Sequence, residues 1–119
     1  MKLVLSKADI DFVMERITNT LSNASNGMLK KILLYGSYAR GDFKDYSDVD
    51  IMVLVDEPNP NNIYSIIKPE VDFFSDEYLI MVSCHFQNYN HFYEAMEFTS
   101  FYKNIEREGI VYYEFEKRD

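Results

Sequence analysis

Apolar side chains recur along this 119-residue chain with two different periods. Over residues 7–21 they return every three or four positions, which predicts a helix with one buried face. The same spacing over residues 63–78 predicts a second helix, which Pro69 either bends or divides into two short ones. A third stretch, residues 89–108, has this spacing as well and predicts a single long helix.

Short and nearly continuous apolar runs predict strands at Lys31–Tyr35, Asp48–Val55 and Leu79–Phe86. Residues 109–115 predict a fourth strand or an extended terminal segment. This order of elements is typical of an α/β (α+β) fold, and we expect a small mixed sheet with helices on one face. A length of 119 residues has room for one core, so residues 1–119 are expected to form a single domain.

The net charge of −8 argues against a protein that grips nucleic-acid phosphates, and direct nucleic-acid binding is not expected. It leaves room for a nucleotide site in which metal ions offset the negative charges. No apolar run approaches the roughly 20 residues that span a bilayer, so no membrane segment is expected. Cys84 is the only cysteine, which excludes an internal disulfide and makes a cytoplasmic location the default expectation.

Two aspartates begin the second predicted strand. Side chains alternate across a strand, so the four apolar residues from Val49 to Val55 share one face and Asp48 and Asp50 share the other. Neighbouring carboxylates repel, and a stable fold compensates them with a divalent cation or a cationic partner. Oxygen-only ligands suit Mg²⁺ or Mn²⁺. Taken alone, however, such a pair is more often an ordinary solvated strand face.

A glycine and a serine directly follow the first predicted strand. Gly36 allows backbone N–H groups to approach a phosphate closely, and Ser37 adds a hydroxyl donor. Arg40 is placed to bind phosphate or to pair with a nearby carboxylate. A tight turn would explain Gly-Ser by itself. Chance does not readily explain seven specified residues within fifteen positions, which are Gly36, Ser37, Arg40, Gly41, Ser47, Asp48 and Asp50.

The stretch LLYGSYARGDFKDYSDVDIMVLV resembles the signature of the minimal nucleotidyltransferases of the DNA polymerase β superfamily. The stretch FYKNIEREGIVYYE resembles the end of a subgroup of these proteins, so the likeness covers roughly residues 7–115. It implies a polymerase-β-like nucleotidyltransferase fold and Mg²⁺-dependent transfer of AMP from ATP to a hydroxyl of a partner protein. Small members often act as antitoxins, paired with a HEPN-domain ribonuclease toxin.

The resemblance also implies roles for individual residues. Gly36 and Ser37 would hold the β- and γ-phosphates, and Arg40 lies within the same nucleotide-binding motif. Asp48 and Asp50 would be the catalytic metal ligands, holding Mg²⁺ at the α-phosphate while pyrophosphate leaves.

The family has a third carboxylate on the neighbouring strand, and this chain departs from the pattern there. On the predicted strand Leu79–Phe86, Ser83 occupies the expected place. Either His85 serves instead as base or ligand, or Asp72 reaches the site from the preceding segment. The third alternative is weak or lost catalysis, with the protein acting as a binding module that masks its toxin.

Aromatic residues make up 16% of the chain and crowd towards its end. Tyr112, Tyr113 and Phe115 are hard to bury together, because adjacent residues on a strand face opposite ways. The sequence therefore also indicates a partner surface or a homodimer interface at this end.

Overall fold

The structure, a computed structural model, describes residues 4–24 and 27–115. Within these residues helices and strands follow one another along the chain much as the hydrophobic pattern predicts. The elements are α1 (Lys7–Ala24), β1 (Leu29–Tyr35), α2 (Ser37–Arg40), β2 (Val49–Val55), α3 (Asn61–Tyr78), β3 (Val82–Asn88), α4 (Tyr89–Ala95), α5 (Ser100–Glu108) and β4 (Ile110–Glu114).

The four strands form one sheet in the order β3-β2-β1-β4. β1 is antiparallel to both β2 and β4, whereas β2 and β3 run parallel and are connected through α3. β1 and β2 are therefore central, and β3 and β4 are the two edges. This arrangement confirms the predicted mixed sheet and the predicted fourth strand.

Helices cover both faces of the sheet, so the prediction that they lie on one face is wrong. On the first face α1 and α3 pack over one set of alternating strand residues, which includes Val53. On the second face Met52 and Leu54 pack with Phe92 of α4 and Ile105 of α5. Because β2 is apolar on both faces along most of its length, a single helical layer would have left Met52 and Leu54 in water.

The structure decides between the alternatives for the second predicted helix and corrects the third. α3 is continuous through Pro69, an exposed position on the helix, so of the two alternatives the division into two short helices is wrong. The single helix predicted over residues 89–108 is in fact two, α4 and α5. Thr99 separates them, because its side chain accepts a hydrogen bond of 2.9 Å from the backbone N–H of Tyr102 and so begins α5 as its N-cap.

The third strand begins three residues later than the sequence predicts. Leu79 adopts a left-handed conformation with φ 56° and ends α3, and β3 starts at Val82. The predicted strand began at Leu79 because its apolar run includes this helix end.

A β-bulge explains how two adjacent tyrosines share one face of β4. Ile32 pairs with Tyr113 and Leu33 with Val111, so Tyr112 is the extra residue. Both tyrosines pack against the core that faces α1 and α3. Both side chains are half-buried within the chain, and a partner surface or homodimer interface at this end, where Phe115 is exposed, remains a prediction.

A buried lysine joins the two helices of the second face to the sheet. Lys31 of β1 is only 5% exposed, and its Nζ donates to the Tyr93 hydroxyl at 2.7 Å and to Glu106 Oε1 at 3.2 Å. The Tyr93 hydroxyl donates in turn to Glu106 Oε2 at 3.0 Å. Burial alone would lower the pKa of Lys31, but these contacts outweigh it and raise the pKa.

None of the helices in the described residues is long and apolar enough to cross a bilayer.

Candidate active site

The two predicted metal-binding aspartates lie together at one end of β2. Asp50 lies on the central strand β2 and is half-buried, with Tyr35 of β1 and Ser83 of the edge strand β3 as its register partners. Asp48 directly precedes the first residue of β2 and is exposed. The structure thus brings both carboxylates to one end of the same sheet face, beyond the apolar region that α4 and α5 cover.

The surroundings of Asp50 disfavour its negative charge. Burial is the largest cause that raises the pKa of Asp50, and the nearby charge of Asp48 raises it further. His85 and Arg40 oppose this effect but do not cancel it. A bound cation would relieve the repulsion between the two carboxylates.

Gly36 lies against the Asp50 carboxylate. Its backbone has φ 79° and ψ −157°, a region that residues with a side chain rarely adopt. A β-carbon added here would also lie 2.5 Å from Asp50 Oδ2, which is too close for two atoms that are not bonded. The sequence assigned this glycine to the approach of a phosphate, and the structure adds that it makes room for Asp50.

Ser37 and Arg40 are the first and last residues of α2, a single turn that begins beside Asp50. The Arg40 Nε donates to Asp42 Oδ2 at 3.1 Å, and its NH1 lies 3.6 Å from Glu108 Oε2. The sequence left open whether Arg40 meets phosphate or a nearby carboxylate. The structure shows ion pairs with two carboxylates, although neither belongs to the aspartate pair.

A cavity of about 270 Å³ opens between the Gly36 turn and α5. Its lining consists of Tyr35, Gly36, Arg40, Phe101, Asn104, Ile105 and Glu108. The contribution of α5 was missed by the sequence reasoning, since more than sixty positions separate it from the glycine turn. No signal in the sequence connects the two segments, and only the fold brings them together.

Ser83 occupies the place beside Asp50 where the third carboxylate was sought. The two residues are direct register partners on parallel strands, so their side chains share one face. His85 follows on the same face, beside Met52, with its ring centroid 6.4 Å from that of Tyr35. Among residues 4–24 and 27–115 no three His, Cys, Asp or Glu side chains are grouped to hold a metal ion.

Asp72, the other candidate, lies on the exposed side of α3. Its Oδ2 accepts a hydrogen bond of 2.6 Å from Lys68 Nζ one turn earlier. It lines an open groove together with Ser83 and His85. Asp72 therefore lies near the edge strand β3, and its carboxylate is paired with Lys68.

The donor set at this end of β2 fits a hard divalent cation. Asp48 and Asp50 offer carboxylate oxygens only, and Mg²⁺ commonly takes one or two protein carboxylates while keeping several waters and adding substrate phosphates. Two carboxylates are thus enough for such an ion when a triphosphate supplies further oxygens.

A protein-family model, the nucleotidyltransferase domain, matches residues 14–112. The candidate protein adenylyltransferase MJ0141 of Methanocaldococcus jannaschii is 31% identical over 99 residues, covering 82% of this chain and 93% of that protein. A second such candidate from the same organism, MJ0604, is 45% identical over 42 residues, covering 35% of this chain and 42% of that protein.

Among solved structures, a chain of a toxin–antitoxin crystal structure with AMP-PNP has a similar fold. The TM-score is 0.56 at 17% sequence identity, and the match covers 88% of this chain and 73% of that chain. At this identity the likeness concerns the fold alone. The match of the family model over most of the sequence shows that this chain belongs to the nucleotidyltransferase domain family.

Proposed function

We propose that this protein is a Mg²⁺-dependent nucleotidyltransferase that transfers AMP from ATP to a hydroxyl of a partner protein. One observation carries the proposal: the half-buried Asp50 lies against Gly36 at the end of β1 and beside Asp48. Two neighbouring carboxylates, of which Asp50 has a raised pKa, are more typical of a metal-assisted active site than of a solvated strand face.

The residues around this pair have separate roles in the proposal. Gly36 and Ser37 bind the β- and γ-phosphates, and Arg40 neutralises part of their charge. The cavity of about 270 Å³ beside Arg40 and Asn104 has room for a departing pyrophosphate. Asp48 and Asp50 hold Mg²⁺, which when bound supplies positive charge where negative charge develops at the α-phosphate.

The transfer is a substitution at the α-phosphorus. The acceptor oxygen forms a bond to the α-phosphorus as the bond to the bridging oxygen of the β-phosphate breaks, and pyrophosphate leaves with that oxygen. The acceptor hydroxyl gives up its proton to His85 or to water. His85 is exposed on the same face as Asp50, two residues along β3 from Ser83, which supports this role.

The relatives support both the nucleotide and the acceptor. Two Methanocaldococcus jannaschii proteins that resemble this chain are described as candidate protein adenylyltransferases. A structural neighbour comes from a toxin–antitoxin crystal structure with AMP-PNP. We therefore propose that the partner is a toxin with a HEPN domain and that this chain is its antitoxin.

A binding module is the second candidate function, and Ser83 is the observation that favours it. Without a third carboxylate at position 83, one metal would have fewer protein ligands and the acceptor hydroxyl would have a weaker base. In this alternative the fold serves to mask a partner, and nucleotide binding is a remnant.

Transfer of labelled AMP from ATP separates the two functions. The assay contains Mg²⁺, this chain and a co-expressed HEPN-domain protein, and the control is the double variant Asp48→Asn with Asp50→Asn. Label on the partner that disappears with the double variant supports the enzyme. Tight association without any label, equal for both chains, supports the binding module. Equal labelling by wild type and double variant would show that the proposed metal site is wrong.

A further inference from the structure

The open edge of β3 lies next to the proposed catalytic aspartates. We propose that the acceptor protein binds there as an extended, non-acidic segment that adds a strand to the sheet and extends a hydroxyl side chain past Ser83. This inference rests on the proposed transfer reaction and names where its second substrate docks. Three features support it: the opposite positions of the attacking and leaving oxygens, the outward N–H groups of β3, and the groove beside that strand.

The geometry of substitution at phosphorus places the acceptor on the β3 side of Asp50. Substitution at phosphorus puts the leaving and attacking oxygens on opposite sides. The leaving pyrophosphate belongs on the β1 side, where Gly36 and Arg40 line a cavity with α5. The acceptor therefore approaches from the opposite side of Asp50, and there Ser83 of β3 is its neighbour in the sheet.

The backbone of β3 leaves hydrogen-bonding groups pointing outwards. The Val49 N–H donates to the Met81 carbonyl at 2.9 Å, so the odd-numbered residues of this segment turn their backbone groups towards β2. The Val82 N–H points the other way and donates to Ser75 Oγ at 3.1 Å. By the same alternation the N–H groups of Cys84 and Phe86 face outwards, where no described strand pairs with them.

β3 also lacks the features that usually prevent an edge strand from pairing with a strand of another molecule. Natural edge strands carry bulges, prolines or charged side chains against unwanted partners. β4 at the other edge has a bulge and ends in Glu114. β3 reads VSCHFQN, has no proline, Lys, Arg, Asp or Glu, and pairs with β2 in unbroken register over seven residues. An edge of this kind is competent to accept another strand.

The groove along this edge indicates what kind of segment fits. It has a volume of about 550 Å³, and its lining includes Asp72, Leu79, Met81, Ser83 and His85. Leu79 and Met81 are 50% and 63% exposed and offer apolar contacts. Asp72 is paired with Lys68, so the groove itself carries little net charge. The net charge of the chain, −8, disfavours an acidic segment, and the exposed apolar side chains favour an apolar one.

The spacing of the sheet sets the reach that the acceptor side chain needs. Neighbouring strands lie about 4.8 Å apart, so an added strand lies about 10 Å from β2 and its aspartates. The side chain must cross β3 at Ser83. A serine here leaves that path open, which links the absence of a third carboxylate to the proposed docking edge.

Synthetic peptides test the docking directly. The probes are 12-residue peptides with one central Tyr, whose long side chain can cross β3, and with no Asp or Glu. Their binding to the wild-type chain is measured by fluorescence anisotropy with Mg²⁺ and an ATP analogue that cannot be cleaved between its α- and β-phosphates. We expect hydrogen exchange at the Cys84 and Phe86 amides to slow at least about tenfold in the complex. N-methylation of the tightest peptide should weaken binding about fivefold at alternate residues and little in between.

Cys84→Pro and Cys84→Ala form a matched pair on the protein side. Proline removes the outward N–H but no ladder bond to β2, whereas alanine keeps that N–H. We expect Cys84→Pro to lose peptide binding and to keep binding of the ATP analogue, and Cys84→Ala to keep both. If Cys84→Pro does not fold, the N-methylation series on the wild-type chain decides.

Several outcomes would overturn the docking site. They are no binding by any peptide at millimolar concentration, no protection at Cys84 and Phe86, or N-methylation effects without a two-residue period. Protection that grows with protein concentration in the absence of peptide would mean that a second copy of the chain is the occupant. Transfer of labelled AMP from ATP to the same peptide is measured in parallel. Transfer without edge protection would overturn the docking site and leave the transfer reaction standing. Edge protection without transfer would support the docking site and overturn the transfer reaction.

Discussion

Gly36, directly after β1, lies against the carboxylate of Asp50 on the neighbouring strand β2. An α-hydrogen of the glycine faces the carboxylate oxygen where another residue would carry its β-carbon. A β-carbon at position 36 would lie 2.5 Å from Asp50 Oδ2 and 3.3 Å from its Cγ. The glycine that ends β1 and the aspartate of β2 therefore form one structural unit. A substitution at either position changes the surroundings of the other.

Gly36→Ala should both destabilise the protein and abolish transfer. The left-handed backbone and the contact with Asp50 together are expected to cost more than about 2 kcal/mol in the free energy of unfolding. Gly41→Ala is the matched control, since Gly41 has φ +86° but no atom within 4 Å of an added β-carbon. It should cost only about 1 kcal/mol. Urea titration and labelled transfer measure the two effects, and equal losses for both variants would disprove the contact.

Asp50→Asn should stabilise the fold while it abolishes transfer. The raised pKa means that the native state holds the Asp50 proton more tightly than the unfolded chain does, so ionised Asp50 lowers stability at neutral pH. Solvent screens this half-exposed group, and we expect a gain of at most about 1 kcal/mol at pH 7. The gain should shrink as the pH falls through the native pKa of Asp50 towards 3.8, the ordinary pKa of an aspartate.

Thermal unfolding of Asp50→Asn and wild type between pH 4 and pH 8, without metal, measures this difference. The exposed Asp45 supplies a control, because Asp45→Asn lies outside the aspartate pair and should leave the pH profile unchanged. A stability loss at pH 7 for Asp50→Asn would contradict the assigned electrostatics.

Ser83→Asp should strengthen the metal site. The new carboxylate would lie beside Asp50 on the parallel neighbour strand and add an oxygen ligand. We expect the Mg²⁺ concentration for half-maximal transfer to fall about tenfold, since even residues that only support the metal ligands change metal affinity by about 10- to 100-fold. Ser83→Asn has nearly the same shape without the charge and should leave that concentration unchanged. An equal response of both variants would mean that position 83 does not face the metal.

Lys31→Ala should be strongly destabilising although it lies outside the site. It leaves Tyr93 and Glu106 without their shared cation, and we expect a loss of about 2 to 3 kcal/mol. Lys30→Ala is the neighbouring control, with Nζ 3.9 Å from the Phe115 ring centroid, and should cost less than about 1 kcal/mol. Urea titration compares the two, and a larger loss for Lys30→Ala would contradict the network.

Local patterns in the sequence predicted the parts of this fold that local physics decides. The alternation of Val49, Ile51, Val53 and Val55 gave the buried face of β2, and the same alternation placed Asp48 and Asp50 on the opposite one. It also predicted that Ser83 lies beside Asp50, which the strand register confirms. The roles assigned to Gly36, Ser37, Arg40, Asp48 and Asp50 remain predictions.

Other features depend on contacts between distant segments or on details of the backbone. Met52 and Leu54 lie on a second apolar face that the prediction of helices on one face overlooked, and only the packing of α4 and α5 shows what covers it. The bulge at Tyr112 arises from how β4 pairs with β1 and leaves no trace in the spacing of apolar residues. Glu108 reaches Arg40 only because α5 folds back over the glycine turn.

The division between central and edge strands has an evolutionary consequence. Gly36 directly follows β1 and Asp50 lies on β2, and each constrains the other, so an amino-acid change at either position alters stability and chemistry together. Ser83 lies on the edge strand and is half-exposed, so its codon can change with little effect on folding. Catalytic strength can thus be raised, lowered or lost at one position while the architecture is inherited intact.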